Sequence, residues 1–572
     1  MIKQYIPILD WLPNYQRRWL RGDLLAGITV GVMLIPQGMA YGLLAGLPPV
    51  YGLYASIVPL FIYAIFGTSR QLSVGPVALI SLLVIAGISQ LGAAVSSETF
   101  IMLAVSTALV TGVIQLLLGI TRLGFLVNFL SHPVIAGFTS AAAFIIGISQ
   151  IRYLLGLNIK GGSSFVTTIK DITLNITQTH WPTLLIGAGS TLLILYLRKL
   201  NKLYPAGLLA IVLTTLLVWI AGLDSRGVAI LGFVPSGLPD FHWPDMSPAT
   251  IAQLLPLSVT ICIISFIESL AIAKTLESRH KDYRISPNQE LIALGLAKIA
   301  GAFFQAFPTT GSFTRSAVND DAGAQSGLAS IISGLFICIV LLVLTPLFYY
   351  LPQAVLASII LAAVFSLVDY PTAAHLWKTD KRDWLAMMVT FSATLLFGIQ
   401  NGVLSGVILS LGLMIYRNAK PHVAILGQLP GSTHYRNIDR FEEAIKYDEI
   451  LIIRFDAQLY FGNAVYFRET LENLVNHESD QLRVVILDAS GIHDIDSSGI
   501  HELSESIRFL QEKNIALYLA GTIGPVRDIL QKNRLLEEIG MDHHYLDVHT
   551  AVEGFRKGVI ATTAAVQTNV ES

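Results

Sequence analysis

"FPTTGSFTRSAVNDD", Phe307 to Asp321, places an arginine just after a Pro/Gly break, with long oily runs on both sides. Pro308 and Gly311 end whatever helix precedes them, and the segment that restarts at Ser312 is too short to cross a bilayer. Working outward, one other stretch has this form: "SVGP", Ser73–Pro76, is followed by a short apolar segment from Val77 to about Gln90. Two such interrupted segments at matching places in two halves of a membrane chain point to inverted repeats, with the half-helix starts meeting near the midplane. Each start presents unpaired N–H groups and a positive dipole end, so the pair makes an anion site.

Composition agrees with a membrane chain. Of 572 residues, 53% are hydrophobic and 13% charged, against about 25% charged in soluble domains. Roughly fourteen candidate segments lie between Leu24 and Tyr416. They fall near 24–45, 50–66, 76–91, 99–120, 132–151, 181–198, 205–222, 250–273, 288–305, 312–321, 326–350, 354–368, 383–399 and 401–416. The third and tenth are the interrupted ones. Arg17, Arg18, Arg21, Arg70, Arg122, Arg198, Lys199, Lys202, Lys274, Arg279, Lys281, Arg284, Lys378, Lys381, Arg382, Arg417 and Lys420 all fall on one side of this count. Arg152, Lys160, Lys170 and Arg226 fall on the other, which makes the richer side cytoplasmic, together with both termini. Localisation in a cell (inner) membrane follows.

Residues 1–23 do not read as a cleavable signal, because Pro7, Asp10 and Pro13 break their apolar patch. They read as a cytoplasmic amphipathic segment on the membrane surface. Residues 24–420 form the transport region. From Pro421 the pattern changes to β-type runs ("EILIIRF", "RVVILDA", "NIALYLA") alternating with charged amphipathic helices, an α/β domain over 421–560, with 561–572 a disordered tail. The net charge of −2 gives no global field and no reason to expect nucleic acid. Cys262 and Cys338 lie in apolar runs and read as packing residues.

Arg315 adds a full charge to two dipole ends, one turn into the second half-helix, and Ser312, Thr314 and Ser316 offer hydroxyls to an oxyanion. The competing reading is an arginine snorkelling to the interface, but charges inside the membrane are usually functional. Glu268, in "SFIESLAIAK", lies six residues before Lys274, about 9 Å along a helix, so it too is deep. Desolvation favours its neutral form and a nearby cation its ionised form, which suits a proton carrier. A static pair with Arg315 or Lys298 is the alternative. Gln37 and Tyr41, one turn apart on the first helix, could line the same pocket. Lys298 reads as a counter-ion or snorkelling residue.

Long ordered motifs carry a family resemblance. "PQGMAYGLLAGLPPVYGLYAS" (Pro36–Ser56), "GTSRQLSVGPVALISLL" (Gly67–Leu83), "HPVIAGFTSAAA", "SFIESLAIAK" and "FPTTGSFTRSAVN" resemble the sulfate permease (SulP) family of anion transporters. The tail resembles the STAS domain that this family carries. The resemblance implies an α-helical polytopic fold of about fourteen segments as a seven-plus-seven inverted repeat, core moving against gate, usually in a homodimer. By motif it implies an anion site of Gln37, Tyr41, Val77, Ala78, Ser312, Phe313, Thr314 and Arg315, with Glu268 coupling transport to protons. Members with sodium-dependent bicarbonate transport tend to lack an arginine at the Arg315 position, and Lys298 stands where asparagine is expected. "LDASGIHDIDSSGI", Leu487–Ile500, resembles the loop phosphorylated in anti-sigma-factor antagonists, with Ser497 the aligned serine; an N-cap serine is the plainer reading.

No G-x-x-x-x-G-K-S/T, H-E-x-x-H or C-x-x-C motif is present, and His543, His544 and His549 fit no usual metal spacing. The expectation is therefore no enzyme, no cofactor and no metal. The leading function is secondary active transport of a small anion, sulfate first, by proton symport, with sodium the other coupling ion. Alternatives are dicarboxylate, bicarbonate or halide symport or exchange, or an anion channel whose STAS domain regulates it or binds a cytoplasmic partner.

Overall fold

The computed structural model describes residues 5–92, 97–125, 131–159, 165–200, 204–280, 282–478 and 481–557. Lys160, Lys202, Lys281 and the proposed tail at 561–572 lie outside the described residues. The chain divides into two compact units, Met1–Ser410 and Leu411–Ser572.

In the first unit the apolar runs become helices: α1 (Trp19–Leu44), α2 (Pro49–Tyr54), α3 (Val58–Phe66), β1 (Val74–Gly75), α4 (Ala78–Gln90), α5 (Glu98–Ile120), α6 (His132–Leu155), α7 (Phe165–Asn175), α8 (Trp181–Leu200) and α9 (Ala206–Ala221). The second half continues with α10 (Pro248–Arg279), α11 (Pro287–Phe303), β2 (Thr310–Gly311), α12 (Phe313–Asp321), α13 (Leu328–Ile339), α14 (Gln353–Val364), α15 (Tyr370–Thr379), α16 (Lys381–Phe397) and α17 (Ile399–Ala419). Among the described residues, seven helical spans are long and apolar enough to cross a membrane, counting α2 and α3 as one, and α4, α9, α14 and Leu404–Ala419 are shorter apolar helices. Leu213, Leu217, Trp219 and Ile220 of α9, and Leu335 and Ile339 of α13, stand exposed on the bundle surface, as side chains facing lipid do.

Three details differ from the sequence reading. α1 begins at Trp19 rather than Leu24, because buried Asp23 accepts hydrogen bonds from Gln325 N (2.7 Å), Ser326 N (3.1 Å) and Ser326 Oγ (2.6 Å), which fixes the first turns against the segment after α12. The second apolar run is interrupted between α2 and α3. α7 and α15 are short amphipathic helices outside the counted segments, too polar for a hydrophobic scan to register.

Dropping α7 and α15 and joining α2 to α3 leaves two sets of seven, with α4 and α12 third in each. Packing repeats when the sets are exchanged. α1 packs on α13, and its counterpart α10 packs on α5; α1 meets α12 as α10 meets α4; α6 meets α16 as α8 meets α14. β1 and β2 pair antiparallel at the centre, Val74 opposite Gly311 and Gly75 opposite Thr310. That exchange is an inverted repeat. Close crossings need glycine: a Cβ on Gly52 of α2 would sit 1.8 Å from the Gly38 carbonyl oxygen of α1.

The second unit is an α/β domain. β3 (Val423–Gln428), β4 (Tyr435–Asn437), β5 (Ile450–Phe455), β6 (Val484–Asp488), β7 (Ala516–Ala520) and β8 (His544–Tyr545) form one sheet in the order β4-β3-β5-β6-β7-β8. β5 through β8 are parallel, and β3 is antiparallel to both neighbours. Alternation sends Leu451, Ile453, Phe455, Val485 and Leu487 to one face, under α18 (Ala464–His477) and α19 (Ser497–Glu512). Ile450, Ile452, Val484 and Ile486 go to the other, covered by Val548, Ala551 and Val552.

Candidate functional site

The two half-helices start from the β1–β2 ribbon, one on each strand. Pro76 has no N–H to give and Val77, the N-cap of α4, has no side-chain acceptor, so the first turn of α4 keeps its N–H groups uncapped. On α12 the cap is Ser312, whose Oγ accepts from Arg315 N at a long 3.5 Å. That leaves the Ser312 hydroxyl hydrogen available to another acceptor.

α10 holds the ribbon in place. Ser269 Oγ accepts from Gly311 N at 2.8 Å and lies 2.8 Å from Thr310 Oγ1, which donates to the Ser265 carbonyl at 2.7 Å. Ser73 N donates to Ser316 Oγ at 2.9 Å, and Ser312 N to the Ser73 carbonyl at 3.0 Å. Both starts are thereby fastened to each other and to the helix that carries Glu268. Sequence reasoning passed over Ser265 and Ser269; their signal was a small-polar pair at i and i+4 on an otherwise apolar helix.

Arg315 is 0% exposed, so it does not snorkel. Its Nη1 donates to Gln37 Oε1 at 3.3 Å and to the Pro76 carbonyl at 3.0 Å, bridging α1, the entry to α4, and α12. Nε and Nη2 are buried without a partner. The space beside Nη2 exists because residue 75 is glycine: a Cβ there would lie 3.2 Å from Nη2. A buried guanidinium with two idle donors is costly unless an acceptor comes to it.

The other expected residues fall around this group. Gln37, Tyr41, Val77, Ala78 and Ser312 are buried, and Tyr41 lies within electrostatic range of Arg315. Phe313 (60% exposed) and Thr314 are on the open side of the first turn of α12. Glu268 is partly buried, within electrostatic range of Arg315, and its Oε2 has no hydrogen-bond partner. Neither static pair forms: Lys298 Nζ donates instead to Gln115 Oε1 at 2.9 Å. Arg198 of α8 is half-buried, donates to the Ala362 carbonyl at 2.9 Å and is in electrostatic range of Tyr41.

In the second unit Ser497 is exposed as the first residue of α19. It is not the N-cap. Asp496 is, with its Oδ1 accepting from Gly499 N at 2.8 Å. Cys262 is buried, Cys338 is half-buried, and neither is bridged.

Opposed half-helices in an inverted-repeat membrane bundle define a multi-pass membrane transporter rather than an enzyme. Comparison with known proteins makes the class specific: residues 20–390 match the sulfate permease family and residues 443–551 the STAS domain. The chain belongs to the sulfate permease family. It is 40% identical over 570 residues to "Sulfate transporter 4.1, chloroplastic" of Arabidopsis thaliana, covering 96% of this chain and 82% of that one. With "High affinity sulfate transporter 2" of Stylosanthes hamata it shares 36% over 575 residues, 96% of this chain and 86% of the relative. The solved structure of the murine Solute Carrier 26 family member A9 anion transporter, inward-facing, superposes with a TM-score of 0.90 at 27% identity, covering 96% of this chain and 94% of that one.

Proposed function

We propose that this protein is a secondary active transporter that carries sulfate with protons across the membrane. The observation that carries the reading is Arg315, fully buried at the meeting of two half-helix starts, with Nε and Nη2 unpaired. An oxyanion there would take those two N–H groups, the uncapped N–H groups after Val77, and the Ser312 hydroxyl. Gln37 holds the guanidinium from behind. Tyr41, Val77, Ala78, Phe313 and Thr314 would shape the pocket.

Glu268 is the proton group in this reading. Its Oε2 is buried without a donor, so protonation removes a negative charge that no hydrogen bond at that oxygen offsets, from a site that must attract an anion. Taking up sulfate and a proton together keeps the charge moved through the low-dielectric interior small. The core carrying both half-helices then moves against the remaining helices, in a homodimer, with the termini and STAS domain in the cytoplasm. Ser497, exposed at the positive end of α19, is the proposed phosphate acceptor by which a cytoplasmic partner would act on that domain.

Proteoliposomes test the reading. Labelled sulfate uptake is expected to accelerate under an acid-outside gradient in the native protein and to lose that response in Glu268→Gln, while sulfate exchange persists. Uptake indifferent to the gradient, yet dependent on sodium, would replace the proton with sodium. Absence of sulfate uptake or binding, alongside transport of another anion, would remove sulfate.

A further inference from the structure

One deep charge has no part in that scheme. Lys298 of α11 is 1% exposed, and its Nζ donates to Gln115 Oε1 of α5 at 2.9 Å. Among the described residues no carboxylate forms an ion pair with it. The Gln115 amide passes the contact on, donating to Ser265 Oγ at 2.9 Å and to the Cys262 carbonyl at 3.1 Å, both on α10. The Ser265 carbonyl in turn accepts from Thr310 Oγ1 on the ribbon at 2.7 Å. Lys298 thus lies behind α10, joined by three hydrogen bonds to the strand that starts the Arg315 half-helix.

A buried lysine without a carboxylate partner is a poor packing residue; an aliphatic side chain of similar volume is cheaper. Its charge is useful only if negative charge arrives within its field. We infer that Lys298 is a specificity-determining residue, a second buried positive charge that makes the Arg315 site prefer divalent over monovalent anions. This rests on the anion site proposed above. Of the charged and titratable groups, Cys262 on α10 lies within its electrostatic range, and the contacts through Gln115 and Ser265 are what connect it to the half-helix that carries Arg315. With Glu268 protonated, the two cations balance a dianion, whereas a monoanion leaves one positive charge over.

The test compares the purified full chain with Lys298→Met, Lys298→Gln and Lys298→Arg, measuring dissociation constants for sulfate and nitrate by calorimetry. A unit charge one helix diameter away, about 12 Å, acting through an effective dielectric of about 20, changes divalent relative to monovalent affinity by about tenfold. The sulfate-to-nitrate preference is therefore expected to fall about tenfold in Lys298→Met and Lys298→Gln, and to survive in Lys298→Arg. Lys298→Gln can still donate to Gln115, so a preference retained there shows that the hydrogen bond, not the charge, matters and overturns the inference. Both affinities falling in parallel overturns it as well. Arg315→Ala separates the two levels: if it leaves sulfate binding intact the site itself is wrong, whereas a preference unmoved by Lys298→Met beside a damaged Arg315→Ala removes Lys298 alone.

Discussion

Truncating Arg315 to alanine separates a binding residue from a structural one, because the two roles leave different energetic signatures. Nε and Nη2 are the donors free to meet an anion, and hydrogen bonds to charged groups contribute about 1.5–3 kcal/mol each. Losing both removes about 3–6 kcal/mol, or about 10²–10⁴-fold in affinity at about 1.4 kcal/mol per tenfold. For the empty protein the terms oppose one another. Truncation leaves a cavity and frees Gln37 and the Pro76 carbonyl from their contacts at 3.3 and 3.0 Å, which destabilises by about 2–5 kcal/mol. It also removes a buried cation with no carboxylate in hydrogen-bond contact, which returns several kcal/mol. Net stability without anion should change by no more than about 2 kcal/mol.

Two measurements on the detergent-purified protein are enough: unfolding temperature without anion, and its rise with sulfate concentration, which gives Kd through mass action. The expected result is a nearly unchanged starting temperature with a dose response moved by about two to four decades, the factor worked above. Arg315→Lys should recover part of the loss, since an ammonium restores charge without the planar fork. A variant that unfolds many degrees lower yet binds sulfate with native affinity would refute the reasoning and make Arg315 a structural bridge.

Three further outcomes follow from the same contacts. Gly75→Ala places a methyl 3.2 Å from Nη2, so sulfate affinity should drop about tenfold with little loss of stability, the reverse pattern from a packing defect; calorimetry decides. Ser269→Ala strips Gly311 N and Thr310 Oγ1 of a partner at 2.8 Å each, and should lower stability by about 1–3 kcal/mol and weaken transport, read by melting and uptake together. In the STAS domain burial raises the pKa of Asp456, but hydrogen bonds from Arg454 and His422 outweigh it and hold the carboxyl below the usual range. A depressed folded-state pKa contributes stability above the unfolded value, near pH 4, that is lost as pH falls through the folded value. Asp456→Asn should therefore cost about 0.5–1 kcal/mol at pH 7, a cost that shrinks as pH falls below the unfolded value, by denaturant titration of the domain transition.

What sequence revealed depended on whether the signal was local. Pro308 with Gly311, and Gly75 with Pro76, are breaks whose consequence is set within a few residues, so both half-helices were readable. So was the arginine beside one of them. The STAS strands were equally plain, since five-residue runs such as Val484–Asp488 are buried on both faces and carry no competing pattern. Partners distant in sequence were not readable. Lys298, read as a counter-ion or snorkelling residue and weighed as one alternative partner of Glu268, meets Gln115 instead, because helix rotation, which no one-dimensional pattern fixes, turns it toward α5. Ser497 was read as a cap, but a carboxylate one residue earlier takes the N–H of Gly499. An aspartate competes well with serine for that position, so a two-residue choice of this kind needs coordinates.

The ribbon explains why a site built from helix ends can be stable without its anion. Two positive helix starts and a guanidinium repel one another, and in an apolar interior that repulsion is weakly screened. Backbone pairing of Val74 with Gly311 and Gly75 with Thr310, pinned by Ser269 and Ser265 of α10, supplies attraction between the same two segments that needs no charge. The positive field is thereby preorganised rather than assembled by the substrate, so binding loses little to ordering. A consequence separates this arrangement from induced assembly. If the ribbon holds the half-helices together in the empty protein, hydrogen exchange at Ser312 N, which donates to the Ser73 carbonyl, should be equally slow with and without sulfate, while the N–H groups of the first turn of α4 become protected only when the anion is present. Equal protection gains at both places would mean that the anion draws the two starts together itself.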